Sequence, residues 1–220
     1  MKGYVKGVSP ILSEILKEIV KDPLFAPFRL VGGTNLALRY NHRVSTDIDL
    51  FTDHNYGTLN FKLYEEWFKH HYPYFEPTDT SSKVGMGKTY YVGENKENAI
   101  KIDLIYENEP FIFSPEEKDE VRMATVAEIA VMKLDAIFYG GRKKDFWDLH
   151  YMLIDMDMNL SDLISLHQQR FPYQHDREKM ISQLQDFTKV DNDPDPICNL
   201  GKSWDMIKLD ILDCTANLNN

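Results

Sequence analysis

Residues 30–51, LVGGTNLALRYNHRVSTDIDLF, constrain the fold of this 220-residue chain more than any other stretch. Phe28 to Val31 reads as a buried strand, Gly32-Gly33 as a tight turn, Thr34 to Tyr40 as a short helix, and the apolar-acidic alternation that follows as a second strand. Successive side chains on a strand face opposite ways, so Asp47 and Asp49 share one face while Ile48 and Leu50 turn into the core. Two carboxylates about 6 to 7 Å apart repel each other unless a cation lies between them, and hard oxygen ligands of this kind suit Mg²⁺. The pattern fits equally two solvated acids on an exposed edge strand. Glycines between a strand and a helix let backbone N–H groups approach an anion, and the helix N-terminus adds partial positive charge. Gly32 and Gly33 therefore read either as a phosphate cradle upstream of a metal site or as a turn that needs two glycines.

Composition sets the class. Hydrophobic residues make up 43% of the chain and charged residues 27%, enough for one mixed core with a helical extension. No apolar run approaches the roughly 18 residues of a membrane-spanning helix. The opening MKGYVKGVSPILSEIL has no apolar region followed by a small-residue cleavage site, so neither a signal peptide nor a membrane partner is expected. Cys198 and Cys214 fall in no metal-ligand spacing and read as free buried thiols in a reducing, cytoplasmic compartment. A formal net charge of −10 argues against broad nonspecific nucleic-acid binding, since phosphate affinity comes from Lys and Arg. It leaves a local basic patch open.

In chain order, Ser9 starts a helix to about Lys21, with Pro10 first and Ile11, Leu12, Ile15, Leu16 and Ile19 on one face. An amphipathic helix is expected over Thr58 to His70, its aromatics filling the core, with His70 and His71 at the surface. Strands follow at Tyr74 to Pro77, Lys88 to Val92 and Ala99 to Tyr106, the last two joined through Glu94 to Asn98. Ala99 to Tyr106 sets Lys101 and Asp103 on one face against Ile100, Ile102 and Leu104 on the other, which by itself makes them no more than the polar side of a half-buried strand. Pro110 to Lys118 reads as the boundary between an α/β core, residues 1–115, and a helical region, residues 116–220. Thr125 and Glu128 have the spacing of a capping box, opening a helix that carries Lys133 and ends at Gly140-Gly141. Read singly, Lys133 is a solvated lysine and Asp145 an acid favoured by the next helix's dipole. Further helices span Leu160 to Arg170, Asp176 to Phe187 and Lys202 to Leu218, and the acidic stretch Asp191 to Pro196 reads as a solvated loop.

Three segments together resemble a known family. These are Gly32-Gly33 with RVSTDIDLF at 43–51, KID at 101–103, and EIAVMKLDAI at 128–137 followed by RKKDFWDL at 142–149. They look like the motifs of the nucleotidyltransferase superfamily, in its AbiEii/AbiGii toxin-like branch, over more than half of the chain. The resemblance implies an α+β fold, a small mixed sheet flanked by helices, with the helical C-terminal part completing the active-site cleft. It implies in-line transfer of an NMP from an NTP, with Asp47, Asp49 and Asp103 holding Mg²⁺, two ions in all. Gly32, Gly33 and Ser45 would cradle phosphate, Lys133 and Lys101 would meet the triphosphate, and Asp145 would lie near the active site with Asp148 one turn on. The implied acceptor is RNA such as a tRNA end, and the implied setting a bacterial toxin–antitoxin pair, in phage defence, with a separate antitoxin protein as partner. Arg39, Arg43, Lys83, Lys88 and Arg142 to Lys144 would form a basic rim for RNA. A small-molecule acceptor, as in antibiotic-modifying enzymes, suits the acidic balance better, and a non-catalytic nucleotide- or partner-binding module is the third reading.

Overall fold

The computed structural model describes residues 7–78 and 86–219, so Lys83 of the expected basic rim lies outside the described residues. The chain divides into two compact units. The first runs up to Arg39 and resumes over Ser45–Ala124; the second takes Tyr40–Val44 and everything from Thr125 onward.

In the first unit, α1 (Pro10–Lys21) starts as its sequence predicts: Ser9 is extended, its hydroxyl accepts the Leu12 N–H at 3.2 Å, and Pro10 takes the first helical position. Leu12, Ile15, Leu16 and Ile19 are buried, each contributing about 1.5–3 kcal/mol through loss of apolar surface. β1 (Arg29–Leu30) is shorter than expected and carries a buried arginine, whose guanidinium donates to the Phe113 carbonyl at 3.0 Å and lies 3.8 Å from the centre of the Phe111 ring. The glycine pair is not a separate turn. It forms the first turn of α2 (Gly32–Tyr40), where Gly32 holds φ +69°.

β2 (Asp47–Thr52) is followed by α3 (Phe61–His71), which begins later than expected because Asn60 caps it. Then come β3 (Tyr74–Pro77), β4 (Gly87–Asn95), β5 (Asn98–Tyr106), β6 (Glu116–Lys118) and β7 (Val121–Met123). Among the described residues they form one seven-stranded sheet in the order β3-β4-β5-β2-β1-β7-β6. β2 and β5 run parallel, while β4 is antiparallel to both β3 and β5. Ile48, Leu50, Tyr90, Val92, Ile102 and Leu104 turn to one side of the sheet and join α1 and α3 residues in a single core. The other side of β2 and β5 stays half-exposed and carries Asp47, Asp49, Lys101 and Asp103 together with Phe51 and Ile105. The unit closes after Ala124 rather than near residue 115, because the β6–β7 hairpin, Glu116 to Met123, adds to this sheet through β7 beside β1.

The second unit is helical: α4 (Val126–Phe138), α5 (Lys143–His150) running into a π-helical turn (Tyr151–Asp155), α6 (Leu160–Arg170), α7 (Arg177–Gln185) and α8 (Trp204–Ala216). Thr125 caps α4, accepting the Glu128 N–H at 3.1 Å, while the Glu128 carboxylate is buried 2.7 Å from Arg170. Tyr40–Val44 belongs here because its backbone pairs with the segment before α8. Val44 N–H donates to the Ile197 carbonyl at 2.8 Å and Asn199 N–H to that of His42 at 3.0 Å. The acidic stretch expected to be a solvated loop instead wraps a buried lysine. Lys143 Nζ donates to the Asp191 carbonyl at 2.9 Å, the Asp193 carbonyl at 2.5 Å and Asp195 Oδ1 at 2.9 Å. Both cysteines are free and half-buried. Among the described residues no helix is long and apolar enough to cross a membrane.

Candidate active site

The parallel pairing of β2 with β5 sets Asp47 beside Lys101 and Asp49 beside Asp103. Residues two apart share a face and paired strands lie about 4.8 Å apart, so the four side chains form a two-by-two block on the half-exposed side of the sheet. The buried partners on the opposite side, Ile48, Leu50, Ile102 and Leu104, fix that orientation. Asp103 is gripped at both oxygens: Oδ1 accepts the Thr89 hydroxyl at 2.6 Å, and Oδ2 pairs with the Lys101 ammonium. Partial burial disfavours the Lys101 charge, yet Asp103, with Asp49 and Asp47 behind it, holds its pKa above the ordinary lysine value.

The start of α2 is fitted to the same block. A Cβ at Gly32 would stand 2.3 Å from Asp49 Oδ2, so the missing side chain makes room for that carboxylate. The positive φ excludes a larger residue on separate grounds. Val31 N–H donates to the Asp49 carbonyl at 2.9 Å, and the Thr34 hydroxyl donates to the Asp47 carbonyl, tying helix to strand. Ser45, expected at the phosphate, is buried with its hydroxyl 2.9 Å from Thr34 Oγ1. Gly33 is buried in the helix's first turn.

Asp49 and Asp103 stand in the same register on neighbouring strands with Asp47 two residues before Asp49, while among the described residues no three His, Cys, Asp or Glu side chains close into a metal cage. Both oxygens of Asp103 are occupied, by Lys101 and by Thr89. The donor chemistry nevertheless fits a divalent cation. The block offers hard carboxylate oxygens in adjacent registers, Gly32 leaves space for one of them, and an ammonium stands among them as a cation already accepted there.

Lys133 and Asp145 lie in the second unit, in a different setting. Lys133 Nζ is 2.7 Å from Asp145 Oδ1 and 2.8 Å from Asp148 Oδ2, and all three residues are buried. Arg43 grips Asp148 with Nε at 2.6 Å and Nη2 at 2.7 Å, and His42 Nε2 lies 2.8 Å from the same carboxylate. Burial opposes the charge on Asp148, but Arg43, Lys133 and the His42 hydrogen bond hold its pKa well below the usual carboxylate range. Asp145 is likewise lowered against burial, chiefly by Lys133, and its Oδ2 accepts the Arg142 N–H at 2.9 Å, capping α5. Lys133 is raised, because its two carboxylates outweigh burial and the nearby Arg43.

These partners dissolve much of the expected basic rim. Arg43 and Lys143 are buried in ion pairs, and Arg39 is engaged by Glu116 at 2.8 Å and by Asn35 Oδ1 at 2.8 Å. Sequence reasoning also missed Thr89 and His42. Thr89 could have been found only by registering β4 against β5, where it falls opposite Asp103.

The profile of a family described as nucleotidyl transferase AbiEii toxin, type IV TA system, matches residues 14–217. An uncharacterised protein of Aquifex aeolicus is 26% identical over 166 residues, covering 72% of this chain and 73% of that protein. MenT4, a nucleotidyltransferase toxin of Mycobacterium tuberculosis, superposes with a TM-score of 0.59 at 14% identity, covering 95% of this chain and 83% of its own. JHP933 of Helicobacter pylori gives 0.55 at 23%, covering 94% and 89%. At these identities the two structures share a fold with the chain.

Proposed function

We propose, from the premise that this chain belongs to the AbiEii nucleotidyl transferase toxin family and is a nucleotidyltransferase, that it transfers an NMP from an NTP to the end of an RNA such as a tRNA. The observation that carries this reading is the block on β2 and β5, where Asp47, Asp49 and Asp103 share one half-exposed face with Lys101 at the start of α2. Asp47 and Asp49, with Asp103, are the residues that would hold Mg²⁺, as one or two ions. When bound there, a divalent cation supplies neutralisation of the triphosphate and a lowered pKa for the attacking hydroxyl.

The remaining work falls to the chain's own groups. The acceptor oxygen attacks the α-phosphorus in line, the bond from that phosphorus to the bridging oxygen breaks, and pyrophosphate leaves with the electron pair. A carboxylate of the block takes the hydroxyl proton. Lys101 offsets charge on the departing phosphates, and the first-turn N–H groups of α2 offer phosphate donors. Lys133 and Asp145 support a holding role inside the helical unit, since each is committed to a buried charged partner. As a toxin of this family, the protein would be restrained in its cell by an antitoxin partner.

A small-molecule acceptor is the second reading, favoured by the ion-paired state of Arg39, Arg43 and Lys143 and by the net charge of −10. A label-transfer assay separates the two: purified protein, Mg²⁺, each α-labelled NTP in turn, with and without total tRNA, and Asp47→Asn/Asp49→Asn as control. Label on RNA from the unmodified protein alone is the expected result. Nucleotide binding without RNA labelling would move the acceptor to a small molecule, and growth arrest on expression tests the toxin reading in cells.

A further inference from the structure

Lys101 is the one lysine of the block. Its side chain is 34% exposed and that of Asp103 16%, so the pair sits at the solvent edge with the ammonium on the outer side. A lysine also grips a carboxylate as a point charge, without the two-pronged geometry that would lock an arginine in place. Asp103 Oδ1 is fixed independently by Thr89, so loss of the ammonium would free Oδ2 while leaving the carboxylate oriented. Asp47 and Asp49 face the same ammonium. A dication approaching these carboxylates meets Lys101 as its direct competitor, because two positive charges a few ångströms apart repel strongly at the edge of a protein.

We propose that Lys101 is the resident counter-cation of the carboxylate face: it occupies Asp103 until a divalent cation displaces it, and the released ammonium then turns to the nucleotide's phosphates. Thr89 is the positioning residue that keeps Asp103 in place through the exchange. This rests on the metal–nucleotide reading given above and assigns to Lys101 a step that precedes chemistry.

The test is a titration with Mn²⁺ alone, without nucleotide, followed by the EPR signal of the free ion on the full chain and on Lys101→Met, Lys101→Arg and Asp47→Asn/Asp49→Asn. Removing the competing charge with a side chain of similar length should tighten Mn²⁺ binding by about tenfold. Lys101→Arg, which keeps the charge and grips better, should bind no more tightly than the unmodified chain. Unchanged or weaker binding by Lys101→Met, with binding still abolished in the double aspartate variant, overturns the counter-cation and leaves the metal site standing. Binding that survives loss of Asp47 and Asp49 overturns the metal site and the counter-cation with it. A thermal melt of Lys101→Met within about 2 °C of the unmodified chain's would show that the comparison is between folded proteins.

Discussion

Each unit carries a four-membered charge cluster, and the two are built on opposite principles. In the helical unit Arg43, Lys133, Asp145 and Asp148 match two cations to two anions, buried, with every contact between 2.6 and 2.8 Å. In the sheet unit Asp47, Asp49, Asp103 and Lys101 share a half-exposed face. Desolvated charges persist only when each is matched, and the match then resists change. The sheet group is only half-buried, so its charges keep part of their hydration. The lysine of the first cluster is held between two buried carboxylates, whereas the lysine of the second has one close carboxylate and a partly exposed side chain.

The contrast breaks most easily at Asp148. Asp148→Ala leaves Arg43 and Lys133 buried without their common anion and should destabilise the protein by about 3–5 kcal/mol, read as a lower urea midpoint. A loss below about 1 kcal/mol would mean that water enters the cluster and that the two groups are not different in kind. Asp49→Ala is the counterpart: nucleotidyl transfer should fall by about 10²–10³-fold or more, while the urea midpoint moves little because the strand's buried side is untouched. Retained turnover would remove the carboxylate block from the chemistry. Gly32→Ala should cost about 1–3 kcal/mol through its φ alone, and should also lower activity by pushing Asp49 aside.

Acidity sharpens the comparison further. Asp145 and Asp148 titrate lower folded than unfolded, so their contribution is complete above the unfolded carboxylate value near 3.8 and is lost as the pH falls through their lower folded values. Lys133 titrates higher folded than unfolded, so its contribution is complete below 10.5 and is lost as the pH rises through its folded value. Urea midpoints followed across pH should therefore show an acid limb that flattens in Asp148→Asn. The smallest effect belongs to Arg142→Ala, whose side chain is 65% exposed and 3.5 Å from Asp145: about 0.5 kcal/mol or less, since the Asp145 cap uses the backbone N–H instead.

The sheet cluster was largely legible in the sequence, because period-two alternation announces which residues of a strand share a face. Asp47 with Asp49, and Lys101 with Asp103, were each visible as a pair. That the pairs lie side by side in parallel depends on a nonlocal strand pairing that alternation does not encode. The helical cluster was less legible: Arg43 and Asp148 are 105 residues apart, and nothing local marks one as the other's partner. The loop around Lys143 misled for a different reason. Its acids predicted solvation, but two of the three groups gripping the lysine are backbone carbonyls, which composition does not display.

The in-step pairing of β2 and β5 bears on what changes the gene can accept. Asp47, Asp49, Lys101 and Asp103 fall on odd-numbered positions, and Ile48, Leu50, Ile102 and Leu104 of the core on even-numbered ones. A single-residue insertion or deletion inside either strand exchanges these duties, driving aspartates into the apolar layer and leucines out of it. Slips of one residue therefore cannot yield a folded sheet with a half-formed site. Length changes can accumulate in the connecting loops, while within these two strands a change of one residue breaks fold and chemistry together.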